Sequence, residues 1–267
     1  MDTARAYDDS ESIIGEVIRS HDIRDQIVLA SKTQASRDLE TIPMIRRDLE
    51  ESLRRLQTDR IDLYYMHAPP ADPYVMNKVF DEFEILKNEG KIISIGASIK
   101  GPSVTCQTTD LCRQYIDSGR VDAIQLIYSI LRQKTAEIFG YAYQHEVAIV
   151  ARTVIESGFL SGKYRPGHEF ESGHRTRWTG EQLSRILDMA HHIEQTTLKP
   201  PYRSMAQIAI EFALDPKEVS SVIPGAKTPE QVRDNMEVGT LPRLAPEIVD
   251  SLKRQYTGME DVVNPAG

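Results

Sequence analysis

Residues 43–98, PMIRRDLEESLRRLQTDRIDLYYMHAPPADPYVMNKVFDEFEILKNEGKIISIGAS, decide the fold. Pro43–Leu56 carries apolar side chains at helical spacing, and Ile61–Met66 (IDLYYM) is a short β-branched and aromatic run. Val75–Asn88 returns to helical spacing before a second apolar run, Ile92–Ala97 (IISIGA). Two strands separated by a helix of ten or more residues form a parallel βαβ unit, because antiparallel neighbours need only a tight turn. Both runs are nearly continuously apolar, as strands covered on both faces are. The boundaries agree: Thr41 is a candidate N-cap with Pro43 in the first turn, and Gly90 ends the next helix.

The same alternation extends outward in both directions. Further strands are expected at Gln26–Ser31, Ala123–Ile127, Ala148–Thr153 and Val219–Ile223. Further helices are expected at Ser10–Ser20, Thr109–Ser118, Thr135–His145, Gly180–Gln195, Ser204–Leu214, Pro229–Glu237 and Ala245–Tyr256. Arg165–Thr179 is polar, glycine-rich and aperiodic, and reads as a mobile surface loop. No repeat and no linker interrupts residues 1–267, so one domain is expected. Parallel strand–helix repeats build either an open doubly wound sheet or a closed barrel. No GxGxxG loop follows the first strand, which removes the support for a dinucleotide site of the open-sheet kind. Instead, polar residues recur at the C-terminal ends of several strands. Lys32 follows the first run, His67 the second and Ser98 the third; Gln125 lies in the fourth and Arg152 near the end of the fifth. That is the face where (β/α)8 TIM barrels gather their active sites. The expected fold is therefore an α/β barrel of this kind, with six candidate strands where a closed barrel has eight.

The chain has 267 residues, 40% hydrophobic and 27% charged, with a formal net charge of −8. Excess negative charge argues against nucleic acid and anionic membranes as partners. No apolar run approaches the roughly 18 residues of a membrane span, and the N-terminus lacks the layout of a signal peptide. Cys106 and Cys112 make neither a disulfide framework nor a metal pattern, and read as reduced thiols of a cytoplasmic protein. His191 and His192 are adjacent and point apart, so no metal site is expected.

Asp2, Tyr7, Lys32 and His67 suggest chemistry when taken together. A phenol is a weak acid near pKa 10. A nearby ammonium favours its ionised form, a carboxylate can hold that ammonium, and an imidazole can donate to a substrate carbonyl. Asp2-Thr3-Ala4 with Tyr7 and Ser10-Glu11 resembles the D-T-A-x-x-Y-G-x-S-E opening of the aldo-keto reductases, with Asp8 in place of the glycine. Leu29-Ala30-Ser31-Lys32 resembles the strand that carries the family's lysine. Leu53–Tyr64 followed by His67 is similar to the family's L-x-x-L-x-x-D-Y-I-D-L-Y-x-x-H. The resemblance implies a carbonyl reductase in which Tyr7 is the general acid, Lys32 lowers its pKa, Asp2 pairs with Lys32, and His67 orients the carbonyl. In this family a strand, its helix and most of a second strand precede the D-T-A motif. The barrel is thus expected to lack its first strand–helix unit and most of its second strand: either the start is shortened and the fuller protein has about 50 more residues, or the chain is a six-strand remnant. Exposed strand edges would then invite pairing into a homo-oligomer.

The resemblance also implies a nicotinamide cofactor. Gly96-Ala97-Ser98 resembles the G-x-S-N that holds the carboxamide, with Ile99 replacing the asparagine, and Gln125 matches the glutamine that completes the grip. Arg152 stands where many members stack an aromatic ring. Gly158, Leu160, Gly162 and Lys163 fall in a G-x-L-x-G-K-Y-like loop, implying contact with the pyrophosphate. Ile223-Pro224-Gly225-Ala226-Lys227-Thr228 through Gln231 and Asn235 resembles I-P-G-A-x-x-P-E-Q-x-x-E-N. There Lys227 and Thr228 would meet a 2′-phosphate, favouring NADP over NAD; Gln231 replaces an arginine found in some members, and Asn235 would contact adenine.

Each residue also has a plainer reading. Lys32 can be a solvated strand end, His67 a loop residue, Gln125 part of a buried polar network, and Lys227 a turn lysine. Three functions stay open on this basis: an active reductase of small-molecule aldehydes or ketones, a cofactor-binding regulatory or scaffold protein with little turnover, and a non-enzymatic sugar-binding barrel.

Overall fold

The computed structural model describes residues 1–101 and 103–265. Among them six parallel strands alternate with helices: β1 (Ala30–Thr33), β2 (Ile61–His67), β3 (Ile92–Ser98), β4 (Ala123–Ile127), β5 (Ala148–Arg152) and β6 (Val219–Ile223). The helices are α1 (Ser10–His21), α2 (Ile45–Leu56), α3 (Pro73–Asn88), α4 (Cys106–Asp117), α5 (Phe139–Gln144), α6 (Gly180–Thr197), α7 (Met205–Leu214), α8 (Pro229–Glu237), α9 (Pro246–Tyr256) and α10 (Glu260–Val263). By contact the chain divides into two compact units. The first is Met1–Lys100, Asp110–Gln125 and Gln144–Ala148; the second is Gly101–Thr109, Leu126–Tyr143 and Ile149–Gly267.

In the first unit β1 to β4 pair in parallel in chain order. The helix α2 buries Ile45, Leu49, Ser52, Leu53 and Leu56, one stripe at helical spacing. It leaves Gln57 left-handed (φ 53°) at its C-terminus. The helix α3 buries Val79, Phe80, Phe83 and Leu86, and Phe83 stacks on Tyr64 of β2 at 5.4 Å. Each such side chain contributes about 1.5–3 kcal/mol through the apolar surface it removes from water. Helix α1 approaches α2 closely at Gly15, where an added Cβ would lie 2.2 Å from the Arg55 carbonyl oxygen.

Residues Met1–Arg5 run along the outer side of β1. The Ala30 amide donates to Met1 O (2.8 Å), Thr3 N to Ala30 O (2.9 Å) and Arg5 N to Lys32 O (3.0 Å). In the second unit β5 pairs in parallel with β6. Helix α7 is buried along nearly its whole length, and Tyr128 lies against Phe139 (4.9 Å) and Phe212 (5.8 Å).

Four expectations need correction. β1 begins at Ala30, not Gln26: residues 24–26 form a 3-10 turn, and the Leu29 amide donates to the Asp62 carboxylate at 2.7 Å instead of to a strand. Lys32 therefore lies within β1 rather than after it. Thr41 does not cap α2; its hydroxyl bonds to Asp38, and a 3-10 turn, Ile42–Met44, leads into the helix. The helix expected over Thr135–His145 is a 3-10 turn, Lys134–Ile138, followed by the short α5. Finally, Arg165–Thr179 is not simply a surface loop. Trp178 is buried and donates its indole N–H to Val263 O at 2.6 Å. Phe170 packs against Tyr164 (4.9 Å) and Phe159 (6.0 Å). Rings spaced too irregularly to show a period still hide one another from water.

Candidate active site

The pairing of Met1–Arg5 with β1 sets Asp2 beside Lys32. The Lys32 ammonium is ion-paired to Asp2 Oδ1 and donates to Thr3 O at 2.9 Å. Its side chain is only 1% exposed, so water does not solvate the charge and these oxygens help to do so in its place. Lys32 Nζ lies 5.4 Å from the centroid of the Tyr7 ring. His67, the last residue of β2, meets the same ring edge-on at 5.9 Å. Tyr7 itself is 46% exposed, so a small molecule from solvent can reach its ring, while Lys32 is buried. The turn that presents Tyr7 needs a left-handed residue next, and Asp8 has φ 42°. This explains the glycine of the related motif and its replacement here by aspartate, one of the few side chains that tolerates that region.

Ser98 ends β3 and pairs in register with Gln125 of β4. The Ser98 hydroxyl donates to Gln125 Oε1 at 3.1 Å, and Gln125 Nε2 donates to Asp2 Oδ2 at 2.8 Å. Ile99 is buried, and its amide donates to Gln125 O at 2.9 Å. Sequence reading missed Tyr65. Its ring is buried 5.6 Å from Lys32 Nζ, burial and then the charge of Asp2 push its hydroxyl above the usual phenol range, and Gln125 is its hydrogen-bonding neighbour. Gly96 leaves room for it: an added Cβ there would sit 2.3 Å from the Tyr65 ring. The only available signal was a Tyr-Tyr pair just before His67.

The second unit holds the other predicted residues. Arg152 closes β5, with Nη1 3.4 Å from Thr153 Oγ1, and its guanidinium packs on Gly101. In the following loop Gly158 (φ 95°) and Gly162 (φ 73°) are left-handed, Leu160 is buried and Lys163 exposed. Glu156 (φ 47°) and Ser157 (φ 54°) are left-handed too. The Glu156 carboxylate accepts from Arg132 Nε (2.9 Å), Arg132 Nη2 (2.7 Å) and the Ser129 hydroxyl, all buried. Neither partner was singled out from sequence. Ile223 ends β6. Thr228 caps α8 by accepting from Gln231 N (3.3 Å), and Gln231 Oε1 accepts from Lys227 N (2.7 Å). That reciprocal capping is a structural use for both side chains. Asn235 is buried and donates to Gly225 O at 3.4 Å. His174 is lowered from the ordinary histidine pKa by burial, then by Arg175, Arg177 and Lys227, so this region is electropositive.

The Aldo/keto reductase family model matches residues 1–256, across both units. The chain belongs to this family. It is an oxidoreductase, and its described residues form the α/β arrangement of six parallel strands with flanking helices that the strand–helix alternation implied. It is 27% identical over 263 residues to the uncharacterized oxidoreductase YqkF of Bacillus subtilis, covering 95% of this chain and 81% of that one. It is also 27% identical to an NADH-specific methylglyoxal reductase of Escherichia coli, covering 88% and 77%. Among solved structures, the holo form of an aldo-keto reductase from Bacillus halodurans superposes with a TM-score of 0.74 at 26% identity, covering 95% of this chain and 80% of that one. A Klebsiella pneumoniae aldo/keto reductase in complex with NADP and acetate shares the fold, with a TM-score of 0.66 at 24% identity and coverage of 96% and 79%. No described helix of this chain is long and apolar enough to cross a membrane.

Proposed function

We propose that this aldo/keto reductase reduces an aldehyde or ketone at the expense of NADPH, with Tyr7 as the proton donor, and that residues 1–267 act as one cytoplasmic domain. The observation that carries the reading is the buried Lys32 ammonium, clamped by Asp2 and the Thr3 carbonyl, beside the half-exposed Tyr7 ring. A fixed positive charge there favours the phenolate left when Tyr7 gives its proton to the carbonyl oxygen. His67, edge-on to the same ring, would orient that oxygen. Asp2 keeps the ammonium from turning away. Hydride is what the nicotinamide supplies when bound.

The residues present suit such a cofactor. The Ser98 hydroxyl and Gln125 Oε1, 3.1 Å apart, offer adjacent acceptors for the NH2 of a primary carboxamide. In the second unit, glycines at left-handed positions let backbone amides approach phosphate oxygens. The cations Lys227, Arg175 and Arg177 around His174 favour a 2′-phosphate. Two free thiols suit a reducing compartment.

The test is turnover. The chain is mixed with NADPH or NADH and a panel of aldehydes and ketones, and loss of reduced-nicotinamide absorbance is followed. Tyr7→Phe should lower the rate by about 10²–10⁴ while cofactor affinity stays within about two-fold, since a proton donor acts in the transition state. A Tyr7→Phe variant running at full speed would remove the phenol from its role. Cofactor binding with no reduction of any substrate would instead favour the regulatory or scaffold reading.

A further inference from the structure

Gln125 stands between two groups that the proposed reaction uses separately. Its carbonyl end faces Ser98, the residue opposite it in the β3–β4 register, and its amino end faces Asp2. The reverse orientation would set Oε1 against the Asp2 carboxylate, acceptor against acceptor, and would leave the Ser98 hydroxyl facing an NH2. The chemistry of the neighbours therefore fixes which way the amide points. Asp2 is fixed in turn: Oδ1 pairs with Lys32 and Oδ2 accepts from Gln125, so both carboxylate oxygens are committed to different partners. The chain Ser98–Gln125–Asp2–Lys32 is continuous, and it ends beside the Tyr7 ring.

We infer that Gln125 is a positioning residue that couples the carboxamide-holding pair to the counter-ion of Lys32, so that one amide group sets both cofactor grip and the proton affinity of Tyr7. The inference rests on the proposed reading of Ser98 and Gln125 as the carboxamide site and goes beyond it. Its physical basis is charge sharing. The Gln125 N–H takes part of the Asp2 charge, leaving the Lys32 field at Tyr7 less neutralised. With that donor removed, Asp2 gives its charge wholly to Lys32, the phenolate loses support, and Tyr7 releases its proton at higher pH. Lys32 from β1 and His67 from the end of β2 face Tyr7, and Asp2 and Tyr65 bear on it through Lys32.

The measurement needs no turnover. Near-ultraviolet phenolate absorbance of the full chain is titrated in the wild type, Gln125→Met and Ser98→Ala, each minus its own Tyr7→Phe background to isolate Tyr7. NADPH affinity is measured in parallel by quenching of Trp178 and tyrosine fluorescence. Gln125→Met keeps the volume and removes the donor, and should move the Tyr7 titration up by about one pH unit. Ser98→Ala removes a cofactor contact but leaves the Asp2 link, so Tyr7 should titrate as in the wild type. Both variants should weaken NADPH binding by about ten-fold, the worth of one hydrogen bond to a ligand. If the methionine variant does not fold, Gln125→Asn, an amide one methylene short of Asp2, carries the same expectation. An unmoved Tyr7 titration in the folded Gln125 variant, beside a ten-fold loss of NADPH affinity, overturns the coupling and leaves the carboxamide site standing. A Tyr7 shift with no effect of either variant on NADPH affinity refutes the coupling as stated, and with it the carboxamide reading.

Discussion

Glu156→Gln tests how the loop after β5 is held. Glu156 and Arg132 are each 1% exposed, and the carboxylate accepts two guanidinium N–H bonds and the Ser129 hydroxyl. Removing one member of a buried pair costs about 3–5 kcal/mol, because the surviving charge keeps its desolvation penalty without its partner. The pair holds a strained segment: Glu156 and Ser157 are non-glycine residues with φ 47° and 54°, at about 1–2 kcal/mol each. The interaction is of the same order as the strain of roughly 2–4 kcal/mol that it opposes, and without it the loop is free to leave the left-handed region. Trp178 is the sole tryptophan and lies buried in the same unit, so its fluorescence during urea unfolding reports this unit's stability. Glu156→Gln should lower that stability by about 3–5 kcal/mol and weaken NADPH binding. The paired change Arg132→Met with Glu156→Leu should cost less than either single change, because no buried charge remains. A loss below about 1 kcal/mol in Glu156→Gln, or a double variant worse than both singles, would refute the reasoning.

Gly15→Ala should destabilise the first unit by about 1–3 kcal/mol, since its Cβ would meet the Arg55 carbonyl at 2.2 Å; a thermal melt within a degree of wild type would contradict the close α1–α2 approach. Glu211 is raised above the ordinary glutamate range, first by burial and only partly offset by Arg243. The folded state therefore holds this proton more tightly than the unfolded chain, and Glu211's contribution to stability is full below pH 4.5 and is lost as pH rises through the folded pKa. Glu211→Gln should flatten that decline in melting temperature against pH, and an unchanged slope would remove Glu211 as its source. A thiol reagent should modify Cys106 in the native chain but reach Cys112 only after unfolding, because Cys112 is buried and its thiol is pushed up to about 12; equal rates at both would contradict the burial of α4.

Much of the fold is legible in the residues because hydrophobic period is a local property. The runs Ala123–Ile127 and Val219–Ile223 became strands with the expected bounds, and Gly90 and Gly119 end their helices left-handed (φ 74° and 63°). Where a long-range partner competes for a local backbone group, local reading fails. Asp62, more than thirty positions away, takes the Leu29 amide and moves the start of β1. Trp178 is buried where the carbonyl of Val263 accepts from its indole and the Phe159 ring lies edge-on to it, and nothing within Arg165–Thr179 announces those partners.

The candidate site divides in the same way. The types and order of Asp2, Tyr7, Lys32 and His67 stand in the sequence, as do the glycines that later prove left-handed. That Asp2 divides its oxygens between Lys32 and Gln125, that Tyr65 lies behind the lysine, and that Arg132 holds Glu156 are decided only when strands distant in the chain come side by side. The physical reason is range. Periodicity and turn chemistry act over a few residues, whereas the value of a buried charge depends on which opposite charges and dipoles the folded chain brings within a few ångströms of it.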